Sequence, residues 1–180
     1  RWDHGGRRVT AGRPTICFLC TGNAARSVMA RAMFAARAPG YRAVGAGTLV
    51  LEGLPMSQRT RRALADHGLS DLDHRSRQFG PDDVSATLVV AMEPSQVAWI
   101  RRHFPEVAGR TATLPRLARH LPTDGPLSER LASMALATVE VEEWEEVVDP
   151  ASGDQGEFDA CAATLATLVD SLVDRLGPPC

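Results

Sequence analysis

A chain of 180 residues with 44% hydrophobic and 23% charged side chains is long enough for one domain with its own core and short for two. Its formal net charge of -2 supplies no basic field for nucleic acid or an anionic bilayer, which argues against both as partners. No apolar run approaches the ~20 residues of a spanning helix, and all twenty cations are arginine, so every cationic contact is a planar guanidinium.

The opening "RWDHGGRRVTAGRP" is charged and lacks an apolar core, so residues 1–13 read as a flexible leader and 14–177 as the domain. Cys17, Cys20, Cys161 and Cys180 have no framework spacing, which points to a reduced, cytoplasmic setting. "TICFLC" (15–20) has strand length, and "SVMARAMFAARA" (27–38) has helical spacing. "YRAVGAG" (41–47) reads as a second strand and "SQRTRRALADHG" (57–68) as a helix closed by Gly68. "ATLVVAM" (86–92) is a buried strand, "PSQVAWIRRHF" (94–104) a helix with proline in its first turn, and "TATL" (111–114) a short fourth strand. Beyond it, 115–122 holds one or two helical turns, "TDGP" (123–126) is a turn, 127–138 is a helix, and 154–176 is a long terminal helix with an apolar stripe. Strands alternating with helices imply an α/β fold, a parallel sheet of four strands covered on both faces.

The first strand ends at Cys20, where an open parallel sheet binds its ligands. The following residues, Thr21, Gly22, Asn23, Ala24 and Ala25, are small or turn-forming, so their backbone N–H groups can converge as an anion nest before the helix starting near Ser27. The same field stabilises a thiolate at Cys20. Arg26 adds a fork for two phosphate oxygens, and Ser27 can donate to the sulfur. A cysteine and an arginine six positions apart are commonplace; strand, loop, Arg-Ser junction and helix together are not.

"CTGNAARS" (20–27) resembles the catalytic loop of the low-molecular-weight protein-tyrosine phosphatases, a family that includes arsenate reductases and protein-arginine phosphatases. The likeness runs on through "GAGTLVLEGLPMSQRTRRALADHGL", "HRSRQF" (74–79), "LVVAM" and a late "DP", covering roughly 14–177. It implies a three-layer α/β/α fold of the phosphotyrosine protein phosphatase I type. It also implies Cys20 as nucleophile, Arg26 as phosphate clamp, Asp149 before Pro150 as general acid and base, Asn23 as loop anchor and His74 as its support. A cysteinyl-phosphate would form and be hydrolysed without metal or cofactor. The implied partner is a phosphorylated protein, with no nucleic acid or membrane, met by a cytoplasmic monomer.

The chain departs from the family pattern in several places. Ala25 stands where many relatives carry a second, protective cysteine, and Gly45 where the family has a serine in the network around the loop asparagine. Ala151 and Ser152 replace aromatic residues after the acid, leaving Leu49, Leu51 or Trp144 to face a substrate ring. Residue 24, which in relatives helps to select the leaving group, is alanine, neither the bulky aliphatic of tyrosine phosphatases nor the threonine associated with phosphoarginine.

Five further signals read as structural. "CFLC" cannot bridge within a strand, since residues three apart face opposite sides, so Cys17 is core. "GAG" (45–47) reads as a strand-end bend, and Trp99 as packing. "RTRR" (59–62) and the glutamates at 140, 142, 143, 145 and 146 read as solvated charged faces. An arsenate reductase would need two further cysteines in the segment after the third strand, and none stands between Cys20 and Cys161. A protein-arginine phosphatase, a small-molecule phosphatase and a non-catalytic anion-binding module are the remaining alternatives.

Overall fold

The computed structural model describes residues 12–179. Of the leader, therefore, only Gly12 and Arg13 are described, and Arg13 donates to the Pro39 carbonyl at 3.0 Å; the rest of it, like Cys180, lies outside the described residues.

Four strands form one parallel sheet: β1 (Thr15–Cys20), β2 (Arg42–Gly47), β3 (Leu88–Ala91) and β4 (Thr111–Thr113), in the order β2-β1-β3-β4. Six helices accompany them: α1 (Arg26–Arg37), α2 (Gln58–Asp66), α3 (Pro94–His103), α4 (Leu114–His120), α5 (Leu127–Ser133) and α6 (Gln155–Leu176). The period-two alternation of β1 divides the core. Ile16, Phe18 and Cys20 join α1, α4 and α6 on one face; Cys17 and Leu19 join Phe79, Ile100 and Val107 on the α3 side. Cys17 and Cys20 thus serve opposite faces, and burial pushes the Cys17 thiol up to about 12, as a core thiol should be. Trp99 packs against Phe79 and Phe104, and Arg59, Arg61 and Arg62 are exposed.

Local chemistry accounts for the helix boundaries. Ser57 caps α2 through Thr60 N, Gly68 closes it at φ 71°, and Asp154 and Glu157 cap α6 reciprocally. Two expectations change. The helix expected over 127–138 stops at Ser133, because Ala135 turns left-handed at φ 51° and Arg101 Nη2 takes the carbonyls of Leu136 and Val139 at 2.7 Å each. "GAG" is no bend: Gly45, Ala46 and Gly47 pair in register with Phe18, Leu19 and Cys20. Gly47 is needed for closeness, since a Cβ there would fall 2.5 Å from the Thr21 carbonyl oxygen. Three 3-10 turns, at Pro81–Ser85, Pro105–Arg110 and Glu143–Glu145, complete the described chain.

Candidate active site

β1 is central, and its carboxyl end delivers Cys20 into the loop that opens α1 at Arg26. Both side chains are almost fully buried, at 3% and 2% exposure. Cys20 Sγ lies 2.9 Å from Ser27 Oγ, which accepts from Asn23 Nδ2 at 2.9 Å. That leaves the serine hydrogen free to point at the sulfur whenever it is a thiolate. Among the described residues, the N–H groups of Gly22, Asn23, Ala24 and Ala25 have no protein acceptor. The loop offers them as an anion nest at the α1 N-terminus.

Asn23 holds this loop in place. It adopts the left-handed conformation at φ 50°, which its short polar side chain tolerates. Its carbonyl accepts from His74 Nε2 at 2.8 Å and Ser76 Oγ at 2.9 Å, and its Oδ1 accepts from Arg77 N at 3.1 Å. His74 is buried rather than a surface residue; burial, with Arg31 and Arg75 nearby, outweighs its bond to Asn23 and holds its pKa below the ordinary value. Neutral His74 is thereby kept as a donor through Nε2. Arg77 is fixed in turn by a two-pronged pair with Asp83 at 2.7 and 3.0 Å. On the other side, Thr60 Oγ1 donates to the Ala24 carbonyl at 3.3 Å. A side chain at Gly45 would begin 3.0 Å from Asn23 Nδ2, so glycine leaves that amide to Ser27.

Arg26 reaches three acceptors: Glu93 Oε2 at 2.5 Å, the Val147 carbonyl at 3.0 Å and Asp149 Oδ2 at 3.0 Å. Burial works against its charge, but the bond to Glu93 and the charges of Asp149 and Cys20 raise its pKa on balance. Burial likewise resists charge on Glu93, and the hydrogen bonds from Ser95 and Arg26 still hold it below the usual carboxylate value. Asp149 arrives from 123 positions away. Its segment is pinned by Val147 N on the Met92 carbonyl at 2.7 Å, and its Oδ1 accepts from Ala151 N at 3.0 Å.

The structure thus sets Cys20 against Ser27, Arg26 against Asp149, and His74 against Asn23 of the loop 21–25. Ala25 is buried and Ala24 exposed at the lip. Leu49 and Leu51 are exposed, with Leu49 N bonded to the Thr21 carbonyl at 3.0 Å. Trp144 instead packs against Arg119 and His120 of α4. Among the glutamates read as a solvated face, Glu145 is the exception: it is fully buried and pairs with Arg116. Glu93 and Gln96 escaped the sequence reading. Gln96 Oε1 accepts from Met92 N at 2.8 Å and its Nε2 donates to Thr21 Oγ1 at 3.3 Å. A carboxylate just past the end of β3, before Pro94, was the available signal. Among the described residues, no cluster of three or more His, Cys, Asp or Glu could hold a metal.

A cysteine sulfur at a strand end, loop N–H groups without protein acceptors, a buried guanidinium and a carboxyl group suit a tetrahedral anion. Known proteins agree. Residues 15–125 match the family described as low molecular weight phosphotyrosine protein phosphatase. The chain is 30% identical to a protein-arginine-phosphatase of Geobacillus stearothermophilus over 89% of its length and 95% of that protein's. It is 40% identical to a low molecular weight protein-tyrosine-phosphatase of Streptomyces coelicolor over 58% of its length and 66% of that protein's. The solved arginine phosphatase from Geobacillus stearothermophilus superposes with a TM-score of 0.74 at 30% identity, covering 91% of this chain and 92% of that one. A low molecular weight protein tyrosine phosphatase from T. tengcongensis gives 0.73 at 26% identity, covering 89% and 98%.

Proposed function

The chain belongs to the low molecular weight phosphotyrosine protein phosphatase family, and on that premise we propose that it hydrolyses phosphorylated protein through a covalent phosphate on Cys20. The observation that carries this is one constellation: Cys20 Sγ at 2.9 Å from Ser27 Oγ, and Arg26 Nη2 at 3.0 Å from Asp149 Oδ2. In the first step the Cys20 thiolate attacks phosphorus. The loop N–H groups and Arg26 hold the equatorial oxygens, and Asp149 gives its proton to the departing oxygen. Ser27, steered by Asn23, stabilises the sulfur before attack and again as it leaves. In the second step Asp149, now a carboxylate, takes a proton from water as water attacks the cysteinyl-phosphate, releasing inorganic phosphate and regenerating the thiolate. Glu93 and Val147 orient Arg26, and His74 and Ser76 hold the Asn23 turn. Every role is filled by the chain's own residues, without metal or cofactor.

Phosphotyrosine is the preferred substrate on this reading. Exposed Leu49 and Leu51 beside the loop, with the small Ala24 at its lip, suit the faces of an aromatic ring. Phosphoarginine is the second reading, favoured by the 30% identity to an arginine phosphatase over nearly its full length. We further read the protein as a cytoplasmic monomer acting on protein, not on nucleic acid or membrane. The net charge of -2 favours a protein substrate over nucleic acid.

The test is hydrolysis of p-nitrophenyl phosphate without added metal, alongside phosphotyrosyl and phosphoarginyl peptides, for wild type, Cys20→Ser and Asp149→Ala. The mechanism requires Cys20→Ser to be inactive. Asp149→Ala should lose about 10²–10⁴-fold in kcat, the range of a general acid. Turnover that survives Cys20→Ser would refute it.

A further inference from the structure

Two cavities lie end to end along one face of α6. One, of about 300 Å³, is bounded by Glu146, Asp149, Glu157, Cys161 and Thr164. The other, of about 450 Å³, is bounded by Arg119, Trp144, Glu146, Thr164, Leu168 and Ser171. Glu146 and Thr164 wall both, so the two adjoin across this pair and make one groove face, with Asp149 at one end and Trp144 at the other. Its floor is one stripe of α6, residues 157, 161, 164, 168 and 171, at the three-and-four spacing that puts side chains on one helix face. From 157 to 171 that stripe rises about 21 Å, room for about six residues of extended chain.

The groove changes character along its length. Beside Asp149 it carries the carboxylates of Glu146 and Glu157, and no arginine lines that end. At the far end the Trp144 ring is held in place: Arg119 stacks at 4.4 Å from its centroid, and its Nε1 donates to Glu142 Oε2 at 2.7 Å. Partly exposed Leu168 adds apolar surface there, with Ala118 and Pro115 buried beneath. Trp144 and Val148, both on the wall-forming segment, are among the large apolar side chains left exposed.

We infer that this groove binds the polypeptide flanking the phosphorylated residue. It selects substrates with an arginine or lysine close to that residue and an aliphatic or aromatic side chain a few positions further on. The inference rests on the phosphatase reading above. Two observations commit the groove to the substrate's own chain. It opens beside the proposed general acid, and it presents the Glu146 and Glu157 carboxylates near the site and, beyond them, Leu168 and the Trp144 ring on which Arg119 is stacked, which match a cation followed by an apolar residue.

The experiment compares kcat/KM on p-nitrophenyl phosphate with kcat/KM on paired phosphotyrosyl peptides. One set carries the basic-then-apolar flank on either side of the phosphotyrosine; the other replaces it with aspartate and serine. Phosphoarginyl versions run in parallel, since the groove reads flanks and not the phosphorylated residue. Glu146→Arg reverses the charge and Thr164→Trp fills the junction; both positions are exposed, so the core is untouched. Wild type should favour the basic-apolar peptide by about tenfold or more. Each variant should lose that preference while hydrolysing p-nitrophenyl phosphate within about twofold of wild type. A wild type without the preference, variants that keep it, or variants that lose both activities equally would each overturn the inference. Failure of the phosphatase reading would look different: no turnover of any substrate, or turnover that persists in Cys20→Ser.

Discussion

Replacing Glu145 by alanine tests how the acid-bearing segment is held. Glu145 is fully buried, and its carboxylate receives four hydrogen bonds. Oε2 takes Thr113 Oγ1 at 2.6 Å and Arg116 Nε at 3.0 Å; Oε1 takes Arg116 Nη2 at 2.6 Å and Glu142 N at 2.9 Å. Truncation leaves the Arg116 guanidinium, 13% exposed, with only the exposed Glu142 carboxylate at 4.0 Å. Breaking such a pair costs about 3–5 kcal/mol, and at about 2–4 °C per kcal/mol for a domain of this size the Tm should fall by roughly 6–20 °C. Urea unfolding should show a lower midpoint with an unchanged m-value. Glu145 also sits four positions before Asp149, so kcat should fall more for alkyl phosphates, which need the acid, than for p-nitrophenyl phosphate, which leaves readily. Burial resists charge on Glu145, but the bonds from Arg116, Thr113 and Glu142 hold its pKa below the ordinary 4.5. Its stabilisation is therefore complete above that value and is lost as pH falls through the folded one, and Glu145→Ala should flatten this acid limb. Replacing both partners, Arg116→Met with Glu145→Leu, should recover much of the loss, because no buried charge is then stranded. A cost below about 1 kcal/mol for Glu145→Ala would equal that of a surface ion pair and refute the reasoning.

Gly47→Ala should disturb the loop directly. Its Cβ would meet the Thr21 carbonyl oxygen at 2.5 Å, a backbone atom with little freedom to yield, so we expect about 1–3 kcal/mol of destabilisation and a sharp loss of turnover. A stable, fully active variant would show that the loop and β2 are not in forced contact. His74→Gln tests the neutral donor. With its folded pKa below the ordinary 6.5, wild type should lose stability as pH falls below 6.5, where the unfolded chain takes up a proton that the folded chain refuses. Urea midpoints between pH 7.5 and 5.5 should decline less steeply in the variant; equal slopes would show that His74 titrates normally in the fold.

The legible part of the site was the part contiguous in sequence. Cys20, the turn after it, Arg26 and Ser27 announce themselves because strand, nest and helix N-terminus are local and each needs particular residue types. Glu93 did not, because its meaning depends on Arg26, 67 positions away. Glu145 stood among five glutamates of equal standing, and only Arg116, 29 positions back, separates it from its solvated neighbours. The early end of α5 had the same origin: Arg101 captures carbonyls 35 and 38 positions on, which no helical propensity reports. The 3-10 turns were missed because three to six residues carry too little periodicity to register. The strands were read correctly because β1 and β3 are buried on both faces and appear as unbroken apolar runs.

The bond between Arg26 and Asp149 spans 123 positions, and this gives the site a history as well as a geometry. At the ribosome's about 5–20 residues per second, Cys20 and Arg26 are made some 6–25 seconds before the residue that would complete them. β1 cannot pair on either side until Arg42–Gly47 and Leu88–Ala91 have followed it. On the mechanism proposed above, the growing chain carries for that interval its nucleophile and anion clamp with no proton donor. The enzyme is thus assembled in the order of binding first and turnover last.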